Sequence, residues 1–204
     1  MSKICGIISG GMYSPLKNID KCDYVIACDK GYEYALREDI RPDYLLGDFD
    51  SYTGELPADI KRLDLPCAKD DTDTMVAFKY AVSEGFDEIY LYCALGGRVD
   101  HFMGNLSCCI YAVQNKIKVT VIDDDNTMFI FGNSSVTVPE KPGFALSVVS
   151  LTDKCENLSI KGTRWELDNV TEFNSIPFGI SNEWNGTAEI SVGNGAVAVI
   201  ISKK

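Results

Sequence analysis

The chain has 204 residues, enough to bury a hydrophobic core as one large domain or two small ones. Its formal net charge is −11, with 19 Lys and Arg residues against 30 Asp and Glu, which argues against a nucleic-acid partner because phosphate-backbone binding needs clustered basic residues. No segment approaches the roughly 20 continuous apolar residues of a membrane span, so no membrane partner is expected.

The amino terminus and the cysteines both indicate a reducing compartment. The chain enters a short apolar stretch at Ile4 without the long apolar core of a secretory leader, and we expect a cytoplasmic protein. Eight cysteines accompany a single histidine, and no Cys-x-x-Cys pair occurs. Several cysteines lie inside apolar stretches, which favours buried, reduced side chains over disulfides or zinc ligands.

Apolar stretches of strand length alternate with segments of helical spacing over the first 122 residues. The pattern predicts strands over residues 4–9, 24–28, 44–47, 88–94 and 118–122, with a short extended piece at 63–67. It predicts helices over residues 32–38, 57–62, 75–82 and 102–114. The segment Asp123-Asp124-Asp125-Asn126 is expected to form an exposed loop.

The pattern changes near residue 125, beyond which no helix is predicted. Short β-type runs at 126–130, 134–138, 145–151, 158–160, 188–192 and 196–201 are separated by Gly, Pro and Asn. This order predicts an α/β fold, a doubly wound and mostly parallel sheet with helices on both faces, followed by a smaller antiparallel β-sandwich. The expected domains are residues 1–125 and 126–204.

An acidic pair follows the predicted strand at 44–47, in the sequence Gly47-Asp48-Phe49-Asp50-Ser51. Side chains two apart project to the same side of an extended chain, so Asp48 and Asp50 would present two carboxylates together. Such a pair repels itself unless a cation lies between its members. A solvated Asp-rich turn is the alternative for this pentapeptide taken alone.

Other strand ends carry polar or glycine-rich segments. Gly10 and Gly11 follow the first strand and allow close approach to a ligand. Asp29 ends the second strand and is suited to a ribose hydroxyl or a substrate amine, although it could equally cap the next helix.

Two further clusters lie at helix starts. Lys69-Asp70-Asp71-Thr72-Asp73 contains more acidic residues than capping requires, and anions are also stabilised at such helix ends. In Gly96-Gly97-Arg98-Val99-Asp100-His101, Arg98 offers a planar fork for phosphate oxygens. His101 is either a packed helix-start residue or a catalytic base.

The carboxyl ends of parallel strands face the same way, so all these segments should form one rim. Gly11 and Gly97 would allow close approach, Lys69 and Arg98 would bind phosphate, and the carboxylates would be in excess. Mg²⁺ is usually held by one or two carboxylates together with substrate phosphates and water. Members of one acidic set could therefore hold the metal with a nucleoside triphosphate: Asp48, Asp50, Asp73 and Asp100.

With these segments in this order, the sequence resembles the thiamine pyrophosphokinase (thiamine diphosphokinase) family. The segments that carry the resemblance are Asp29-x-Gly31, Pro42-Asp43-x-x-x-Gly47-Asp48-Phe49-Asp50-Ser51, Lys69-Asp70-x-Thr72-Asp73, Gly96-Gly97-Arg98-x-Asp100-His101, Gly162-Thr163-Arg164-Trp165 and Ile180-Ser181-Asn182. Lys30 and Arg164 depart from the residues that are usual in the family, a glycine and a lysine.

The resemblance implies a nucleotide-binding catalytic domain, a thiamine-binding and dimerisation sandwich, and a homodimer with active sites between subunits. It implies Mg²⁺-dependent transfer of a pyrophosphoryl group from ATP to the hydroxyl of thiamine, with AMP released. Carried over by position, the catalytic residues would be Asp48, Asp50, Asp73 and Asp100, the first three as metal ligands. The nucleotide would contact Gly11, Asp29, Lys69, Thr72, Gly97, Arg98 and His101. Thiamine would contact Ser181, Asn182 and Trp184.

Two other functions are compatible with parts of the sequence. A metal-dependent nucleotide-sugar transferase could use Asp48 and Asp50, but it would leave the clusters at 69–73 and 96–101 unexplained. A non-catalytic sensor of thiamine or a nucleotide could bind without turnover, although a sensor has no need of several metal carboxylates.

Overall fold

The computed structural model describes residues 2–49, 52, 54–66 and 70–204. The predicted positions Asp50 and Lys69 therefore lie outside the described residues. In chain order the elements are β1 (Ile4–Ile8), a short 3-10 helix (Ile19–Lys21), β2 (Tyr24–Cys28), α1 (Gly31–Arg37), β3 (Tyr44–Gly47), β4 (Lys61–Asp64), α2 (Asp73–Ser83), β5 (Glu88–Tyr92), α3 (Val99–Gln114), β6 (Lys118–Ile122), β7 (Asn126–Phe131), β8 (Ser134–Val138), β9 (Phe144–Ser150), β10 (Lys154–Thr163), β11 (Leu167–Phe173), β12 (Trp184–Val192) and β13 (Val197–Lys203).

The larger sheet has nine strands in the order β4-β3-β2-β1-β5-β6-β7-β13-β9. Its first six strands are parallel, and β7, β13 and β9 continue it in antiparallel fashion. The smaller sheet is antiparallel, in the order β11-β10-β12-β8. The predicted fold class, a mostly parallel α/β sheet followed by an antiparallel sandwich, is confirmed.

Helices cover both faces of the parallel part because alternate strand side chains are apolar on each face. On one face, α2 and α3 bury Phe78 and Cys109 against strand residues such as Ile7. On the other face, Ala35 of α1 packs with Ile8. Fixed helices on both faces leave the strands' carboxyl ends as an open edge.

The sandwich is not separated from the parallel sheet, since β7 pairs with β6 across the predicted boundary at residues 125 and 126. The inner faces of β7, β9 and β13 share one apolar core with the smaller sheet, where Leu146 and Val199 meet Leu158 and Ile190. The division into residues 1–125 and 126–204 remains a prediction about chain segments.

The structure corrects several predicted elements. The helix expected at 57–62 is wrong: residues 61–64 form β4, an edge strand parallel to β3. Pairing with β3 satisfies its backbone, and Lys61 lies over the rings of Tyr44 and Tyr80 at 4.4 and 4.7 Å from their centroids. Strand β11 was not predicted because its sequence is largely polar. Helix α3 begins at Val99 rather than residue 102.

Helix lengths and composition also bear on membranes. Among the described residues, no helix is long and apolar enough to cross a bilayer.

Candidate functional site

A cavity of about 770 Å³ lies at the carboxyl ends of the parallel strands, and we call it the strand-end cavity. Its wall comes from the loops after β1, β2 and β5, from α1, and from the starts of α2 and α3. The segments that it brings together are far apart in sequence, as expected for the crevice of an open α/β sheet. Seven predicted site residues line it: Gly11, Asp29, Thr72, Asp73, Gly97, Arg98 and His101.

Two glycines shape this cavity in different ways. Gly97 has a φ of 70°, and a Cβ added there would meet nothing within 4 Å, so its backbone is open to a ligand. Gly47 has a φ of 151°, and a Cβ there would lie 1.8 Å from the Asp29 Oδ1 atom. Glycine at position 47 therefore lets the Asp29 carboxylate lie directly against the end of β3.

Asp29 and Asp73 come together in the wall of the cavity, and Asp48 lies beside Asp29 at the end of β3. The Asp48 backbone N–H donates to Asp29 Oδ1 at 3.1 Å. Burial, a hydrogen bond with Asp73 and the charges of Asp73 and Asp48 raise the pKa of Asp29 to about 7, against a smaller opposing effect of the Phe49 N–H. The cluster therefore holds more negative charge than its surroundings stabilise, which suits a bound cation.

The start of α2 supplies the next part of the wall. The Thr72 Oγ1 atom accepts a hydrogen bond from the Met75 N–H at 3.1 Å, so Thr72 is the N-cap of the helix. This cap places Asp73 in the first turn with its carboxylate near the cavity. Behind it, the Cys28 thiol donates to the Asp73 carbonyl oxygen at 3.7 Å.

The loop after β5 carries an exposed ion pair. The Arg98 guanidinium donates through Nε and Nη2 to the two oxygens of Asp100, at 3.1 and 2.5 Å. This contact lowers the pKa of Asp100. Arg98 and His101 line the cavity, whereas Asp100 is bound to Arg98 at its rim. Asp48 is likewise adjacent to the cavity through its contact with Asp29 rather than part of its lining.

Helix α1 and its N-cap residue line the cavity with side chains that were not among the predicted site residues. Lys30, Glu33, Tyr34 and Arg37 all face it. Their spacing of three and four residues is that of one helix face, a signal already present in the sequence. Tyr34 also donates its hydroxyl to the Gly11 carbonyl oxygen at 2.7 Å, which supports the glycine loop.

A second, smaller cavity of about 260 Å³ lies on the sandwich, and we call it the sandwich cavity. Its lining consists of Ile160, Trp165, Leu167, Phe178, Gly179, Ile180, Ser181 and Asn182. Trp165, Phe178 and Ile180 are about half exposed, which is unusual for large apolar side chains. The two cavities share no lining residue within the described part of the chain.

The predicted substrate residue Asn182 is buried, and its amide is engaged within the protein. Its Oδ1 atom accepts from the N–H groups of Trp165 and Glu183 at 3.2 and 2.9 Å. Its Nδ2 atom donates to Thr163 Oγ1 at 3.2 Å and to the Trp165 carbonyl oxygen at 2.8 Å. Asn182 therefore holds the turn that presents the Trp165 ring.

The two other predicted thiamine contacts occupy different environments. Ser181 is exposed and lines the sandwich cavity, with its N–H donating to Ser147 Oγ at 3.0 Å. Trp184 packs against the sandwich core and donates Nε1–H to the Val138 carbonyl oxygen at 3.3 Å. Trp184 does not line the sandwich cavity, whereas the indole of Trp165 does.

The fold joins a doubly wound α/β sheet to a β-sandwich, and each of these parts carries a cavity. Comparison with known families agrees over most of the chain. The family described as "Thiamin pyrophosphokinase, catalytic domain" matches residues 16–121, and "Thiamin pyrophosphokinase, vitamin B1 binding domain" matches residues 133–197.

Individual relatives support the same assignment. The chain is 28% identical over 192 residues to the thiamine pyrophosphokinase of Bacillus subtilis, covering 89% of each chain. A crystal structure of thiamine pyrophosphokinase from Bacillus subtilis superposes with a TM-score of 0.85 at 25% identity, covering 99% of this chain and all of the other. A thiamin pyrophosphokinase family protein from Enterococcus faecalis gives a TM-score of 0.78 at 26% identity over the full length of both chains.

The chain belongs to the thiamine pyrophosphokinase family. It is accordingly a transferase of the thiamine diphosphokinase type, and the resemblance stated from the sequence motifs is confirmed. A nucleotide-sugar transferase or a non-catalytic sensor is not favoured.

Proposed function

We propose that this thiamine diphosphokinase transfers a pyrophosphoryl group from ATP to the hydroxyl of thiamine, with Mg²⁺ as the metal, and releases AMP. The observation that carries the proposal is the strand-end cavity, in which a left-handed glycine loop, basic side chains and clustered aspartates meet in a chain of this family. We place ATP in this cavity and thiamine in the sandwich cavity.

The strand-end cavity is suited to a polyphosphate. Lys30, Arg37 and Arg98 are basic residues in its described lining, and the open backbone at Gly97 allows a phosphate to approach closely. Arg98 is already oriented by Asp100, so little side-chain entropy would be lost when it contacts a phosphate oxygen. Lys69 keeps its predicted role in binding ATP, on the basis of the family motif alone.

The aspartate cluster fits a divalent cation. Among the described residues, no group of three or more His, Cys, Asp or Glu side chains stands ready to bind a metal. Mg²⁺, however, usually takes only one or two carboxylates along with phosphate oxygens and water. Asp48 and Asp73, with Asp50, would hold the ion, which would neutralise charge developing on the phosphates. Burial is the largest cause of the raised pKa of Asp29, and a cation there would offset the further effect of the Asp73 and Asp48 charges.

Catalysis of this reaction depends mainly on positioning the two substrates and on stabilising the negative charge that develops. When the thiamine oxygen attacks the β-phosphorus, negative charge grows on the attacking and leaving oxygens, and Arg98 can stabilise it. Asp73 and Asp100 are the candidates to accept the hydroxyl proton. The ion pair with Arg98 lowers the pKa of Asp100 and makes it the weaker base while that pair persists.

The sandwich cavity is suited to the flat, cationic rings of thiamine. The exposed indole of Trp165 offers a face for stacking, Phe178 and Ile180 offer apolar contact, and Ser181 offers a hydroxyl. We assign the stacking role to Trp165, and we assign Asn182 the task of holding Trp165 in place. Trp184, the ring proposed from the sequence, would support the cavity from the core.

We further propose a homodimer in which thiamine lies between subunits. Phe173 and Ile176 are also exposed apolar side chains, and a second copy of the chain would remove them from water together with Trp165, Phe178 and Ile180. Pairing of the strand-end cavity of one copy with the sandwich cavity of the other would also bring donor and acceptor together. A cytoplasmic location suits the seven described cysteines, all of which are free thiols.

The test is to incubate the purified protein with ATP, Mg²⁺ and thiamine and to separate the products by chromatography. AMP and thiamine diphosphate should appear in equal amounts, and EDTA should stop their formation. Thiamine monophosphate is the matched control, because its hydroxyl is already esterified and cannot attack. Formation of ADP, or no turnover, would contradict the proposal.

A further inference from the structure

Glu172 is a carboxylate buried in an apolar setting. It lies on β11 between the exposed residues Thr171 and Phe173, so its side chain points inward at a position where an apolar residue is expected. Its exposure is 0%, and neither of its carboxylate oxygens has a hydrogen-bond partner of good geometry among the described residues. Burying such a group is unfavourable, so its presence calls for a physical reason.

Cys155 faces Glu172 from β10, and the groups that favour the charged form of Glu172 are backbone N–H groups. The N–H groups of Gly179, Ser150 and Phe178 favour its charged form, but burial has the larger effect and raises the pKa of the carboxyl. Two of these three N–H groups come from the segment 178–182, which we call the substrate segment. All five residues of this segment line the sandwich cavity.

The substrate segment is attached to the edge of β9 by other bonds. The Val148 N–H donates to the Gly179 carbonyl oxygen at 2.8 Å, and the Asn182 N–H donates to the Leu146 carbonyl oxygen at 2.7 Å. A Cβ added at Gly179 would lie 2.1 Å from the Val148 carbonyl oxygen, so the two backbones are in close contact. The N–H groups of Phe178 and Gly179 donate none of these bonds, and both favour the charged form of the Glu172 carboxyl.

We propose that Glu172 is a positioning residue for thiamine, which acts by holding the backbone of the substrate segment. The proposal rests on the assignment of thiamine to the sandwich cavity. The carboxylate orients the Phe178 and Gly179 amides, and this sets where the side chains of Phe178, Ile180 and Ser181 meet the ligand. Glu172 itself does not line the cavity, so it would act on thiamine through the segment rather than by direct contact.

Stability alone does not account for a glutamate at this position. Replacing a buried charge with an apolar residue of similar volume is often neutral or stabilising. Glu172→Leu should therefore keep or raise the melting temperature while it loosens the substrate segment. A residue with a merely structural role would instead lose stability and activity together.

The test compares the wild-type chain with Glu172→Leu, Glu172→Gln and the control Glu189→Leu, which alters an exposed glutamate on β12 of the same sheet. Thermal unfolding, the KM values for thiamine and for ATP, and hydrogen exchange across residues 174–182 are measured for each. In Glu172→Leu we expect the thiamine KM to rise about tenfold and the exchange to be faster by a similar factor, with the ATP KM within about twofold. Glu172→Gln should show part of both effects, and Glu189→Leu neither.

The proposal is overturned if exchange across residues 174–182 is unchanged in Glu172→Leu, or if the KM values for both substrates rise together. An unchanged thiamine KM with faster exchange also overturns it, because the segment would then be anchored without any effect on the ligand. If the wild-type chain does not turn over thiamine, the proposed function fails first. A thiamine titration of the wild-type and Glu172→Leu proteins by calorimetry then decides whether Glu172 affects binding.

Discussion

Replacement of Asn182 with alanine should both destabilise the sandwich and weaken thiamine binding. The substitution removes four hydrogen bonds, two accepted and two donated by one buried amide. Leaving a buried polar group without its partner costs about 1–3 kcal/mol, but the freed backbone groups of Trp165 and Glu183 lie near the surface, where water can replace part of the loss. We therefore expect the free energy of unfolding to fall by about 2–4 kcal/mol.

The functional effect of this change follows from Trp165. Without Asn182 the turn that presents the indole loses its anchor, so the thiamine KM should rise while the ATP KM stays near its original value. Urea unfolding measures the first effect and steady-state kinetics the second. Asn185→Ala, which alters an exposed asparagine three residues further on in β12, is the matched control and should change stability by no more than about 0.5 kcal/mol.

Asn182→Asp separates the two halves of the network, because it keeps the acceptor for the Trp165 and Glu183 N–H groups but loses both donated bonds. Its stability should lie between those of wild type and Asn182→Ala. Equal stability of Asn182→Ala and Asn185→Ala would refute the reasoning, since the amide would then contribute nothing beyond an exposed one. If Asn182→Ala left the thiamine KM unchanged, the position of the Trp165 ring would not matter for thiamine binding.

Three further predictions concern the two cavities. Asp73→Asn should abolish turnover while the circular dichroism spectrum stays that of the folded protein; near-normal turnover would remove Asp73 from the site. The pKa of Asp29 is raised from its usual 3.8 to about 7 in the folded chain, so the folded state binds this proton more tightly than the unfolded state and stability should fall as pH rises between these values. In Asp29→Asn, measured in EDTA by urea unfolding at several pH values, the free energy of unfolding should fall less steeply with pH than in the wild type. If the free energies of the two proteins change with pH in parallel, Asp29 does not titrate in this way. Trp165→Ala should raise the thiamine KM at least about tenfold with little loss of stability, because the ring is half exposed. Trp184→Ala should mainly lower the melting temperature, because this ring packs against the sandwich core. The reverse pattern would assign the stacking role to Trp184 instead of Trp165.

The site at the strand ends could be predicted from the sequence because short, local sequence patterns indicate it. An apolar run ending in Gly-Asp or Gly-Gly-Arg indicates both a parallel strand and the polar edge beyond it. The topology of an open α/β sheet then places those ends together. The structure accordingly brings Asp29, Asp73 and Arg98 to one cavity, although Asp29 had been weighed against a simple helix cap.

Other features of the site depend on contacts between distant segments. Trp165 and Trp184 are both tryptophans near glycine or polar residues, and only packing decides that one ring faces a cavity while the other contacts the core. Asn182 is of a residue type that often binds ligands, yet its amide makes four hydrogen bonds within the protein, to Thr163, Trp165 and Glu183.

The sequence by itself determined the alternation of strands and helices, the change to β-structure near residue 125 and the family motifs, because these depend on side-chain periodicity and short spacings. Only the tertiary structure decided that β4 is an edge strand, that β7, β13 and β9 extend the parallel sheet, and that Glu172 is buried. Strand pairing and burial arise from contacts between residues far apart in the chain, and local sequence carries little information about which partner a strand will find.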